Sequence, residues 1–151
     1  MEDYEVAHKN RLSDIDVLLA GPNKRGTAAI HLGGVAVECR LKALIILYHR
    51  IAAWDDPSKR PKDAKLGQPI ARTGHSLISA VRMMPEIYAK AKADPSFLKH
   101  LSNINFPTGS SLIDFIALRY ASAEISEPAI SSWRESLKYV LGWLKKNEAL
   151  L

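Results

Sequence analysis

The stretch TAAIHLGGVAVECRLKALI, residues 27–45, constrains the fold more than any other part of this 151-residue chain. Small and apolar residues run through it with no β-type alternation, so it reads as a helix packed on nearly every side. The helix is expected over about 28–53, with Thr27 as its cap. Ile30, Gly34, Val37, Leu41, Leu44 and Tyr48 form one packing stripe. Gly33 and Gly34 each cost about 1 kcal/mol of helix stability relative to alanine. Such a cost points to another helix in close approach at that place. A second stripe, His31, Val35, Glu38, Lys42, Ile45 and His49, follows steps of 4, 3, 4, 3 and 4. A carboxylate in that setting needs a cation or hydrogen-bond donors, because bare burial would neutralise it. Lys42, four residues on, is the local donor, and Arg119 or His75 could add a second from elsewhere. Three readings of Glu38 follow: a buried polar anchor with Lys42, one wall of a polar cleft with His31 or His75 as acid or base, or a solvated face.

The rest of the chain is read around this helix. Leu12, Ile15, Leu18 and Leu19 mark a first helix over 3–20, ended by Gly21-Pro22. A third helix is expected over 75–92, with Pro85 kinking or dividing it. A short helix near 96–102 and a helix or turn over 111–119 follow, the latter with Leu112, Ile113, Phe115, Ile116 and Leu118 as core candidates. Ser126 caps a last helix reaching about 147, striped by Ile130, Trp133, Leu137, Val140, Leu141 and Leu144. No stretch demands a strand. The expectation is one all-α domain over residues 1–151, an antiparallel bundle of four to five helices.

Residues 54–74 are the clearest loop, with three prolines, two glycines and five Lys/Arg. Lys59, Arg60 and Arg72 make it a candidate phosphate-contacting arm, against a solvated excursion as the plain alternative. In RTGHSL, Arg72 and His75 stand at a helix start, where free N–H groups attract anions. In LRYASAE, Arg119 suits planar anions and Tyr120 can stack on a base. The structural alternative is an Arg119 salt bridge across the bundle, with Tyr120 in the core.

Composition narrows the partners. The formal charge of +5 and pI of 9.4 permit RNA, DNA or another anion. The single cysteine, Cys39, excludes an intrachain disulfide and a cysteine zinc cluster, and is expected as a buried free thiol. No metal and no cofactor are expected: His31 and His49 lie too far apart on one helix to share an ion. There is no phosphate-binding glycine loop and no nucleophile elbow. The opening residues lack a secretory pattern, and the uncharged run TAAIHLGGVAV is too short and too glycine-rich for a membrane. A cytoplasmic protein without membrane contact is expected.

The helix AAIHLGGVAVECRLKALI resembles the signature helix of the HEPN superfamily, on Ala29, His31, Leu32, Gly34, Ala36, Val37, Glu38, Cys39, Leu41, Lys42 and Ala43. Gly74-His75-Ser76-Leu77, Leu118-Arg119-Tyr120 and the serine-capped last helix follow in the family's order, over roughly residues 8–147. The resemblance implies a helical bundle, commonly a homodimer. Many members are metal-independent RNases of toxin–antitoxin or defence systems, and some pair with small nucleotidyltransferases. Their signature is an arginine, four to six residues, then a histidine, late in the domain. Here Arg119 has no histidine after it, since the last is His100. Arg25 and His31 have the spacing but open the second helix instead. The leading expectation is therefore a HEPN-like binding or regulatory protein, associated with RNA or a nucleotide and partnering a nucleotidyltransferase or defence system. The alternatives are a metal-independent endoribonuclease using His75 or His31 with Arg119, and a purely structural helical partner.

Overall fold

The computed structural model describes residues 3–22, 24–51 and 73–151. Its first helix, α1, spans Tyr4–Leu19, and Asp3 caps it by accepting the Val6 N–H at 3.0 Å. Ile15 and Leu19 of the expected stripe are buried, with Leu12 and Leu18 packed partly against the core. The second helix, α2, spans Gly26–His49. It stops short of the expected end because Arg50 turns left-handed, at φ 52°, and returns its N–H to Ile46 and Leu47. Residues 52 and 53 lie outside the described part.

Thr27 does not cap α2. The helix begins one residue earlier, and Thr27 works across the fold instead. Its hydroxyl donates to the Ala123 carbonyl at 3.0 Å and accepts the Ile125 N–H at 3.2 Å. Its backbone N–H donates to the Glu124 carboxylate at 3.1 Å. The start of α2 is thus closed by a segment nearly a hundred residues away, with the anion placed where the helix dipole favours it.

The expected third helix is two. The third helix, α3, is Leu77–Arg82, and Pro85 opens the fourth, α4, Pro85–Lys92. Proline suits a first helical position, where its missing N–H would bond nothing, so the break falls just before it. The fifth, α5, runs Pro95–Asn105 and is capped by Asp94, which accepts the Phe97 N–H at 3.1 Å. The last, α6, spans Glu127–Asn147 behind Ser126, whose side chain makes no cap bond. Short 3-10 segments cover Ala117–Tyr120 and Glu148–Leu150. Among the described residues the protein is a strand-free bundle of six α-helices.

The centre of the bundle is α2, with α1 along one side and α3, α5, α6 and the first 3-10 segment packed around it. Val37, Leu41, Leu44 and Ile45 are fully enclosed, at about 1.5–3 kcal/mol of burial each. Gly33 meets α6: a Cβ there would lie 2.0 Å from Trp133 Cζ2. Gly34 meets no helix. Its neighbour is Phe115, on the irregular stretch between α5 and α6. Within that stretch Phe115 and Leu118 are buried, but Leu112 is 91% exposed and Ile113 also faces solvent, so these two are not core residues. Cys39 is half-buried rather than enclosed. No helix among the described residues is long and apolar enough to cross a membrane.

Candidate functional site

Glu38 is 9% exposed, in the middle of α2, so the solvated-face reading does not hold. Its two carboxylate oxygens serve different donors. Lys42 Nζ lies 3.1 Å from Oε1, the i,i+4 pair within the helix. His75 Nδ1 lies 2.9 Å from Oε2, reaching α2 from 37 residues further along the chain. Lys42 also sits over the Tyr4 ring, 5.2 Å from its centroid, and so ties α1 into the same place.

Local chemistry delivers His75. Gly74 adopts φ +55°, the left-handed region glycine enters without strain. The turn is closed by Ser76 N–H donating to Thr73 O at 3.1 Å, and Ser76 then caps α3 by accepting the Ser79 N–H. Leu77 N–H donates to Asn105 Oδ1 at 2.8 Å. Two N–H groups at the start of α3 are therefore engaged within the protein, rather than waiting for an external anion.

Asn105 is the hidden organiser. Its buried side chain holds the start of α3, and its backbone carbonyl accepts the Phe115 N–H at 3.0 Å. Phe115 packs its ring on Gly34 and lies edge-on to the His75 ring, 6.2 Å between centroids. The Phe115 carbonyl accepts from His31 Nδ1 at 2.8 Å. His31, Glu38 and Lys42 on α2 are thus joined in one connected line by Phe115 and His75, which reach it from elsewhere in the chain. Sequence reading missed Asn105, since nothing near it in NINFPTG signals partners at positions 77 and 115.

The arrangement has a definite chemical consequence. A carboxylate only accepts, so its bond to His75 puts the proton on Nδ1 and leaves Nε2 for solvent or a ligand. The His75 side chain is 50% exposed, so that nitrogen belongs to a group within reach of bulk water. His31 is oriented the same way by a carbonyl but is half-buried. His49, the last member of the stripe, is buried and donates Nε2–H to Met83 O at 2.7 Å.

Arg119 makes no hydrogen bond or ion pair to this line among the described residues. It stacks over the ring of its neighbour Tyr120, 4.7 Å from the centroid, and makes no ion pair among the described residues. Tyr120 is 79% exposed, so neither the cross-bundle salt bridge nor the core tyrosine is present. The pair forms a solvent-facing cation and ring on the 3-10 segment beside α2. Arg25 precedes α2, exposed, and donates its backbone N–H to Leu18 O. Lys59, Arg60 and Arg72, with the rest of the basic stretch up to residue 72, lie outside the described residues. Among the described residues no three His, Cys, Asp or Glu side chains converge as a metal ion would require.

The chain matches no family model, and no curated protein or solved structure is found to be similar to it.

Proposed function

We propose that this chain is a HEPN-like protein that binds RNA or a nucleotide as a homodimer, acting as the regulatory component beside a nucleotidyltransferase-type or defence partner. One observation carries the reading. The helix on which the HEPN resemblance chiefly rests, through Val37-Glu38-Cys39, meets the next element of the family's order, Gly74-His75-Ser76-Leu77, through the Glu38–His75 bond. Arg119 and Tyr120 supply the cation and ring that a stacked base and its phosphate require. Binding is favoured over cleavage because Arg119 is followed by no histidine, so the family's late arginine–histidine pair is missing from this chain.

The test is fluorescence anisotropy with labelled single-stranded RNA, alongside gel assays for cleavage in EDTA. Binding without cleavage is expected. It should weaken with salt at a log–log slope of about −0.7 per phosphate contacted, and weaken about tenfold in an Arg119→Ala/Tyr120→Ala variant. A second reading has its own support: the Glu38-held His75 has the layout of a general acid–base pair. RNA cleavage in EDTA that disappears in His75→Ala and His31→Ala would establish the endoribonuclease in place of the binder. Absence of both binding and cleavage would leave a structural helical partner.

A further inference from the structure

Glycine inside a helix costs about 1 kcal/mol relative to alanine, and on α2 close packing accounts for that cost. A Cβ at Gly26 would lie 2.4 Å from Ile130 Cδ1, at Gly33 2.0 Å from Trp133, and at Gly34 2.1 Å from Phe115. Gly142, in the interior of α6, has no such reason: a Cβ there would meet nothing within 4 Å. It lines an open cavity of about 680 Å³ between α6, the end of α4 and the α4–α5 junction. That volume lies within the range of small-molecule sites.

The walls of this cavity are organised in advance. Asp94 accepts from Tyr139 Oη at 3.2 Å and from Trp143 Nε1 at 3.0 Å, besides capping α5. Trp143 is stacked on Phe97 at 3.8 Å and Tyr139 on His100 at 4.4 Å, so both rings are fixed in orientation. His100 is itself held by Ser136 Oγ at 2.9 Å. Lys90, Lys138 and Lys146 also line the cavity, and among the described residues none of them has an ion pair. Against them stand Glu135 and Asp94, the latter with its charge already met by three donors. Three ammonium groups against two carboxylates leave the rim net positive.

We infer that this cavity binds a small planar aromatic anion, a ring bearing a phosphate or carboxylate, laid over Gly142 against Trp143 and Tyr139, with its charge toward Lys138, Lys146 and Lys90. The absent side chain at 142 supplies the space, the fixed rings supply a stacking wall, and the lysines supply the charge. The site shares no residue with the Glu38–His75 line and does not depend on the function proposed above.

Isothermal titration of the full chain with 1-naphthyl phosphate and 2-naphthoate tests this, with inorganic phosphate and 2-naphthylmethanol as the anion-only and ring-only arms. Each naphthyl anion found to bind is expected to do so at least about tenfold more tightly than either fragment, and the two anions together tell phosphate from carboxylate preference. Gly142→Leu should fill the cavity and weaken that binding about tenfold or more, with helix content and melting intact by circular dichroism. Lys138→Gln/Lys146→Gln, at two exposed positions, should weaken the anions about tenfold while leaving 2-naphthylmethanol unchanged, which keeps the test valid should the leucine variant misfold. Failure of both naphthyl anions to bind below about 1 mM, equal binding of the fragments, or undiminished binding in both variants would overturn the inference.

Discussion

Gly34→Ala is the sharpest test of how α2 is held. Taken alone, the change should stabilise the helix by about 1 kcal/mol. The structure reverses the sign. The new methyl would lie 2.1 Å from Phe115 Cγ, 2.3 Å from Cδ2 and 2.5 Å from Cβ. Ordinary carbon contact is about 3.6 Å, so Phe115 must recede by about 1.5 Å. Rotating the ring gives no relief, because its root at Cβ is among the clashing atoms. Backbone movement is opposed from both ends of the residue, by Asn105 O on its N–H and His31 Nδ1 on its carbonyl. Overpacking of this kind costs about 1–3 kcal/mol, and loosening each of the two hydrogen bonds adds about 1 kcal/mol. After the propensity gain is subtracted, the net loss is about 2–4 kcal/mol, or about 5–15 °C in melting temperature for a chain of this size. Gly142→Ala is the matched control: the same substitution in a helix interior, with open space around the new methyl, should raise stability by about 1 kcal/mol. Thermal melts followed at 222 nm read both. A Gly34→Ala protein that melts at or above the parent, or a Gly142→Ala protein that loses as much as Gly34→Ala, would refute the reasoning.

Three further outcomes follow from the same contacts. Glu38→Ala should cost about 2–3 kcal/mol, since it leaves the mostly enclosed Lys42 without its anion. The Glu38→Ala/Lys42→Ala double variant should lose about 1 kcal/mol less than the sum of the single changes, by urea denaturation, and strict additivity would count against the pair. Asn105→Ala should cost about 1–3 kcal/mol by leaving the Leu77 N–H unpaired, with faster hydrogen exchange at Leu77 and Phe115; unchanged exchange at both would remove Asn105 from its organising place. His8 is buried against α2, donating to Ala36 O at 2.9 Å, and desolvation lowers its pKa from the ordinary 6.5, outweighing the opposing hydrogen bond. The unfolded chain then holds more protons than the folded one as pH falls, so the His8 contribution is complete above 6.5 and is lost on acidification through the lower folded pKa. The parent should therefore lose more stability than His8→Asn between neutral pH and mildly acid pH, and an equal or smaller loss in the parent would contradict it.

Much of the helical plan is written in local pattern. Leu12, Ile15, Leu18 and Leu19 place α1 to within a residue or so, and Pro85 marks the break between α3 and α4 because proline acts within one turn of itself. What escapes local reading is set by distant partners. Thr27 looks like a cap until Glu124 and Ala123 close the helix start from across the fold. Leu112 and Ile113 are apolar enough for a core, but the turns that bring Phe115 onto Gly34 leave them outside. For Glu38 the line falls within one side chain. Lys42 was legible at four residues' distance, whereas the identity of the second donor, His75 rather than Arg119, depends on how the chain returns after residue 72.

That division within Glu38 has a physical consequence for the site. The Lys42 pair lies inside α2 and exists wherever the helix does, so it meets the first demand of a desolvated carboxylate without help from the rest of the fold. The second oxygen then offers a fixed, charge-assisted acceptor at one place on the helix. The turn carrying His75 can satisfy it only when Gly74 holds its left-handed angle, Asn105 holds the start of α3, and Phe115 fills the space over Gly34. A mispositioned turn would leave the acceptor unmet and His75 Nδ1 in water, a loss that no neighbouring contact restores. Glu38 therefore acts as a register mark: it converts correct docking of a distant segment into a single hydrogen bond, and that bond sets which imidazole nitrogen faces outward.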